Sequence, residues 1–263
     1  MSAHAAVAAA AFLAAGLTLY SGFGLGTLLL PVFALFFPPA VAVAATAIVH
    51  GANNLFKLIF VGRHTDRAVL LRFGLPAIGA AFAGAALLGS LAGAGELARY
   101  AFAGRTAVVT PLKLVLGSLM VAFALFELAP RLRAIRFEPR HLVAGGLLSG
   151  FFGGLSGHQG ALRSAFLAKA GLSTERFVGT GAAIGFLVDV ARSAVYAAAF
   201  WLGGTASPLG GAEWPVVATG CLAAFAGVAL GTRFLEKVTM SAVQALTGVL
   251  LLALGAALAA GLI

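Results

Sequence analysis

The sequence predicts an all-α membrane protein of two inverted repeats, each a glycine-broken, re-entrant helix followed by three transmembrane helices. Three observations carry this reading. Apolar residues make up 61% of the 263-residue chain and charged residues only 10%, whereas a soluble domain carries about a quarter charged residues. Apolar segments separated by short charged patches recur along the whole chain, the pattern of several spans rather than one anchor. Two of these segments, one opening each half, are interrupted by glycine clusters.

The apolar segments fall at residues 5–37, 40–62, 68–91, 108–129, 142–172, 177–202, 214–232 and 243–262. All but the first and fifth suit a single tilted span of about 20 residues. Segments 5–37 and 142–172 are too long for one straight span and too short for two. Glycines interrupt both: Gly22, Gly24 and Gly26 in the first, and Gly150, Gly153, Gly154, Gly157 and Gly160 in the second. Glycine is costly within a helix but permits sharp turns. Two half-helices meeting at a tip near mid-membrane fit the length, with Gly22, Gly24, Gly26, Gly157 and Gly160 as the break residues.

Charge placement orients the segments. The 130–141 loop carries Arg131, Arg133, Arg136 and Arg140, which places it in the cytoplasm by the positive-inside rule. The 203–213 loop has no lysine or arginine and belongs outside. A re-entrant 142–172 keeps Lys169 and Arg176 inside, together with Arg233 and Lys237; a full crossing would put the first two outside. The same scheme puts Arg63, Arg67 and Arg72 inside and both termini outside. It leaves Arg99, Arg105 and Lys113 on the outer side, against the rule. The first transmembrane repeat is then 1–129, the basic cytoplasmic linker 130–141 and the second repeat 142–263. Local echoes support a duplication: FAGAALLG at 82–89 with FAGVALG at 225–231, and LVLGSLMVAFAL at 114–125 with ALTGVLLLALGAAL at 245–258. Because the halves start on opposite sides, the repeats are inverted, as in many secondary transporters.

The net charge of +9 attracts phosphates in principle, but the basic residues sit in short loops where topology already accounts for them. A nucleic-acid partner is therefore not expected. The single cysteine, Cys221, rules out an intramolecular disulfide and a multi-cysteine metal site. No lysine or arginine precedes Lys57, so the first apolar segment is expected to belong to the mature protein. No phosphate loop is present, and neither a cofactor nor a metal is expected.

Polar side chains deep in apolar segments are costly, about 2.5–3.5 kcal/mol each when charged. Segment 40–62 carries His50, Asn53, Asn54 and Lys57; segment 177–202 carries Asp189 and Arg192; the second broken segment carries Ser156, His158, Gln159, Arg163 and Ser164. Asn54 and Lys57 are three apart, as are Asp189 and Arg192, and a helix puts such pairs on one face. The two pairs occupy equivalent places in the two repeats. Half-helices starting near Leu25, Gly26 and Thr27, and near His158, Gln159 and Gly160, would present free N–H groups and a positive dipole end. With Arg163 and Arg192 nearby, these form a cage for a small oxyanion, and arginine's planar fork suits such a ligand. The candidate substrate residues are Arg163, Arg192, His158, Gln159, Ser164, Asn53, Asn54, Lys57 and Thr27. Asp189 and His50 are candidates for ion coupling or an ion pair. Plainer roles stay open: Asp189 and Arg192 neutralising each other, Lys57 snorkelling to the interface, His50 and the asparagines bonding helices together.

GFGLGTLLLP at 22–31 with PPAVAVAAT at 38–46, and GGLSGHQGALRSAFLAKAGLS at 153–173 with VGTGAAIGFLVD at 178–189, resemble the TauE/SafE family of sulfite and organosulfonate permeases. The likeness spans nearly the whole chain. It implies two repeated halves and a sulfur-containing or carboxylated anion as substrate. The second motif departs from the family pattern: His158, Gln159, Arg163 and Ser164 intrude, and Ala165 or Phe166 stands where a proline is usual. The expected function is a secondary permease moving sulfite, an organosulfonate or a related anion across a bacterial inner membrane by alternating access. A passive anion channel and a non-transport structural protein remain alternatives. An intramembrane enzyme is not expected, because HExxH, a serine elbow and paired intramembrane aspartates are all missing. The partners are the small anion and membrane lipids. The Gly227–Gly231 pair leaves a homodimer open.

Overall fold

A computed structural model of the chain describes residues 2–17, 24–202, 209, 211, 213–234 and 240–263, with side chains described outside 200–202, 231–234 and 240–243. Its elements run α1 (Ala3–Leu17), α2 (Leu25–Ala34), α3 (Pro39–Val61), α4 (Arg67–Val69), α5 (Leu75–Ala92), β1 (Ala98–Phe102), β2 (Arg105–Val109), α6 (Pro111–Leu128), α7 (Pro130–Arg133), α8 (Leu142–Ser156), α9 (Gly160–Leu167), α10 (Thr174–Leu202), α11 (Trp214–Phe234) and α12 (Met240–Ala259). Among the described residues four stretches are long and apolar enough to cross a membrane: Pro39–His64, Arg67–Ala92, Pro111–Leu128 and Thr174–Ala199. The chain is a multi-pass, helical membrane protein.

Local chemistry sets the boundaries. Pro39 and Pro111 open α3 and α6 at positions where a missing N–H costs nothing. Thr110 caps α6, its side chain accepting from Lys113 N at 3.2 Å. Pro76 cannot donate to the carbonyl one turn back, and a π turn over Leu70–Gly74 absorbs the defect. Both glycine-interrupted segments are split. In the first, α2 starts at Leu25 behind Gly24, whose φ of 121° is not helical. Gly22, assigned to that break, lies outside the described residues. In the second, α8 ends on Gly157 in the left-handed conformation, φ 83°, where a side chain would cost about 1–2 kcal/mol.

Two expectations change. Gly150, Gly153 and Gly154 are not part of a break but lie inside α8. Gly150 and Gly154 let the α8 backbone touch α5: a Cβ at either would collide with the carbonyl oxygens of Ala77 and Ala81 respectively. Gly26 and Gly160 likewise lie just inside α2 and α9, at their starts. The other change is a β-hairpin that hydropathy did not signal. β1 and β2 pair antiparallel, from Ala98↔Val109 to Phe102↔Arg105, across a turn with positive φ at Ala103 and Gly104. It docks on the end of α12, where Tyr100 Oη donates to Ala260 O at 2.5 Å and Val108 N to Gly261 O at 3.0 Å.

Helix directions follow from the close glycine contacts. Gly146, Gly150 and Gly154 meet Phe73, Ala77 and Ala81 in order, so α8 runs parallel to α5. Gly220 meets Val7 and Gly227 meets Phe12, so α11 runs parallel to α1. α6 and α12 are antiparallel, with Gly117 against Ala259 and Gly248 against Leu128. α3 and α10 are antiparallel too, since Asp66 N, just past α3, donates to Thr180 Oγ1 at 2.8 Å near the start of α10. The echo glycines Gly84 and Gly227 do the same work in their halves, each meeting a phenylalanine carbonyl, Phe151 O and Phe12 O.

The end of α9 lies back beside the start of α8. Phe137 N donates to Ala165 O at 3.1 Å, the Phe137 and Phe166 rings stack at 4.1 Å, and Lys169 pairs with Glu138 at 2.6 Å.

Candidate functional site

Where α3, α10 and the α8–α9 break converge, a polar cluster is buried. It is centred on Asp189, 2% exposed. His50 Nδ1 stands 2.6 Å from Asp189 Oδ2; since an ionised carboxylate only accepts, the imidazole is the donor. Asn54 Nδ2 donates to the same oxygen at 3.4 Å. Asp189 Oδ1 accepts from Arg192 Nε at 3.0 Å and from Gln159 Nε2 at 3.3 Å. Arg163 Nη1 donates to Gln159 Oε1 at 3.2 Å, extending the network along α9. Lys57, also buried, lies within electrostatic range of Arg163.

Small residues make this possible. A Cβ at Gly51 would stand 3.1 Å from Asp189 Cβ. One at Gly185 would stand 2.7 Å from Asn54 Nδ2 and 2.9 Å from Arg163 Nη1. Gly181 and Gly185 thus form the bed on which the Arg163 guanidinium lies. The two breaks also meet, because a Cβ at Gly26 would stand 3.4 Å from Gly157 O and from the His50 ring.

Charge does not balance within this cluster. Lys57, Arg163 and Arg192 are buried with one buried carboxylate, Asp189, a formal excess of positive charge in a medium that disfavours it. Arg192 Nη2 lies 2.7 Å from Asp189 Oδ1 without hydrogen-bond alignment, and Nη1 has no hydrogen-bond partner among the described residues. Nη1 points at the break: a Cβ on Gly157 would stand 2.9 Å from it. His158 Nε2 is a further buried nitrogen without a described partner. Its Nδ1 lies 3.0 Å from Ser156 Oγ, and its ring stacks on Phe123 at 4.8 Å.

The family model described as "Sulfite exporter TauE/SafE" matches residues 7–258. The chain belongs to that family. No curated protein matches it. As a TauE/SafE member it is a membrane transporter of sulfur anions and not an enzyme.

In this TauE/SafE chain, His50, Asn54, Gln159, Arg163, Asp189 and Arg192 form one network. Lys57 joins it electrostatically and His158 borders it. Asn53 does not share it by any described bond: it is fully buried, and neither side-chain oxygen nor nitrogen has a described partner. Thr27 is buried in the first turn of α2, beside Gly26. Ser164 faces the other side of α9, into a pocket shared with Glu127 and Arg133. Two residues were missed. Tyr196, one turn past Arg192, donates to Gly154 O, and its i+4 spacing from Arg192 was the available signal. Glu127 is 3% exposed, although it stands two residues from the end of its apolar segment.

Proposed function

We propose that the chain is a secondary transporter that moves sulfite, an organosulfonate or a related small oxyanion across a bacterial inner membrane by alternating access. The observation that carries this is the buried cluster at the helix breaks, with more cationic than anionic groups and an Arg192 nitrogen left for a ligand. The inverted-repeat reading is supported by the helix directions: α3 with α10 and α6 with α12 are equivalent pairs that run antiparallel, as a two-fold axis in the membrane plane requires. The re-entrant reading is supported by the return of α9 to the start of α8. Domain limits of 1–129, 130–141 and 142–263 follow from the same correspondence.

Thermal unfolding of the purified protein with sulfite, sulfate, sulfonates and small carboxylates tests the site. A ligand bound only to the folded state stabilises it by RT ln(1 + [L]/Kd), about 2.7 kcal/mol at a hundredfold excess over Kd. Stabilisation by one of these anions, smaller in Arg163→Ala, is expected; equal stabilisation of both proteins would remove the cluster from the site. The topology has its own test in a Cys221→Ser background, where cysteines at 138 and 169 should react with an impermeant reagent from the same side. Labelling from opposite sides would mean that 142–172 crosses.

A further inference from the structure

His50, Asn54 and Lys57 follow one face of α3 at i, i+4 and i+7. The first two end on Asp189 Oδ2, at 2.6 and 3.4 Å. Lys57 does not. It is 5% exposed, and it has no ion-pair partner among the described residues. The charged group within its electrostatic range is Arg163 on α9, a like charge. The carboxylate on α10 is occupied: Asp189 Oδ1 accepts from Arg192 and Gln159, and Oδ2 from His50 and Asn54. Past the end of α3, Asp66 pairs with Arg176 at 2.7 Å, and Arg63 Nε donates to His64. α6 carries Lys113 in its first turn and Glu127 on the Ser164 side of α9. The other helices packed on α3 are α2 and α11, and their described side chains are uncharged.

An ammonium at this position is a charge that the empty cluster does not balance. With the imidazoles neutral, Arg163 and Arg192 against Asp189 leave one formal positive charge, and a charged Lys57 makes it two. A guanidinium keeps its proton in a protein, whereas a lysine can give its proton up. An anion in the site supplies the missing counter-charge and returns the formal total to one. We propose that Lys57 carries a coupling proton: it is a neutral amine in the empty site and an ammonium in the loaded one, so that anion and proton cross together. The buried site then holds the same formal charge empty and loaded. The reorienting helices are spared the cost of moving an extra charge through the apolar interior. By linkage, proton and anion each raise the affinity for the other by the same factor. The inference rests on this cluster being the anion site and adds the ion that accompanies the anion.

Isothermal titration calorimetry of the full chain in detergent, run in two buffers of different ionisation enthalpy, counts the protons taken up with each anion. Methanesulfonate, which takes no proton near neutral pH, is the first probe. Sulfite, which titrates itself, is read as the difference between wild type and Lys57→Met. The wild type should take up about one proton per bound anion, with affinity falling up to about tenfold per unit rise in pH. Lys57→Met has no proton to gain and Lys57→Arg never loses one, so both should bind without uptake and without that pH dependence. His50, His158 and Asp189 are the other titratable groups of the cluster. A proton still taken up by either variant would assign it to one of them and overturn the proposal. Anion binding by the wild type without proton uptake would also overturn it, while leaving the central site standing. No binding of either anion by the wild type would remove the central site as well. Should neither variant bind, the wild-type count decides alone: one proton upholds the coupling and none overturns it.

Discussion

The two helix breaks, equivalent in the proposed repeat, differ in chemistry. From Gly24 to Ala34 the first carries Thr27 as its only polar side chain, whereas the second carries Ser156, His158, Gln159 and Arg163 within eight residues. The helices after them differ in the same sense: α3 offers Asn54 and Lys57 where α10 offers Asp189 and Arg192. The packing, by contrast, repeats, with Gly84 and Gly227 against equivalent carbonyls and Gly117 and Gly248 against equivalent neighbours. The contacts of Gly84 and Gly227 with backbone carbonyls tolerate no side chain and recur at both positions. The site takes most of its charges from one half, while the other contributes His50, Asn54 and Lys57 from α3 and, at its break, Gly26, a small seat for the Gly157 carbonyl.

The most severe way to break this comparison is at the shared packing. Gly150→Leu places a side chain on the Ala77 carbonyl, where overpacking costs at least about 3 kcal/mol, and should leave no monodisperse protein by size-exclusion chromatography. Recovery of a normal peak would mean that α5 and α8 do not meet this closely.

Next comes the charge asymmetry. Arg192→Ala strands Asp189 in the interior and should cost about 3–5 kcal/mol, read by thermal or denaturant unfolding; adding Asp189→Asn should return a large part of it. Lys57→Ala strands no carboxylate and should cost markedly less. Equal losses would mean that the equivalent positions do equivalent work.

The smallest effects separate the two tips. Gly157→Ala puts a Cβ into a left-handed position, at about 1–2 kcal/mol, and 2.9 Å from Arg192 Nη1. Gly26→Ala meets ordinary contacts at 3.4 Å and should stay below about 1 kcal/mol, in the range of surface-like substitutions. Unfolding midpoints of the two variants should differ in that order.

Most of the fold was legible because apolar length and loop charge are properties of sequence alone. The hairpin at 98–109 was not, since β1 is exposed along its length and the hairpin is held by docking on Ala260 and Gly261. The α8 glycines were misread because a stripe at four-residue spacing looks the same whether it bends a helix or seats a neighbour. Ser164 could have been separated from Arg163 beforehand, since successive helical residues point about 100° apart. The same rule divides Asn54 from Asn53. The pairing of His50 with Asp189 was out of reach, because it joins residues 139 positions apart through the packing of α3 on α10.

Flux of radiolabelled sulfite into proteoliposomes, compared between wild type and Arg163→Ala, tests the central claim most directly. Saturable uptake by the wild type, with Arg163→Ala at the level of empty liposomes though equally well incorporated, is the predicted result. Uptake by Arg163→Ala equal to that of the wild type would show that sulfite does not pass through the Asp189-centred cluster.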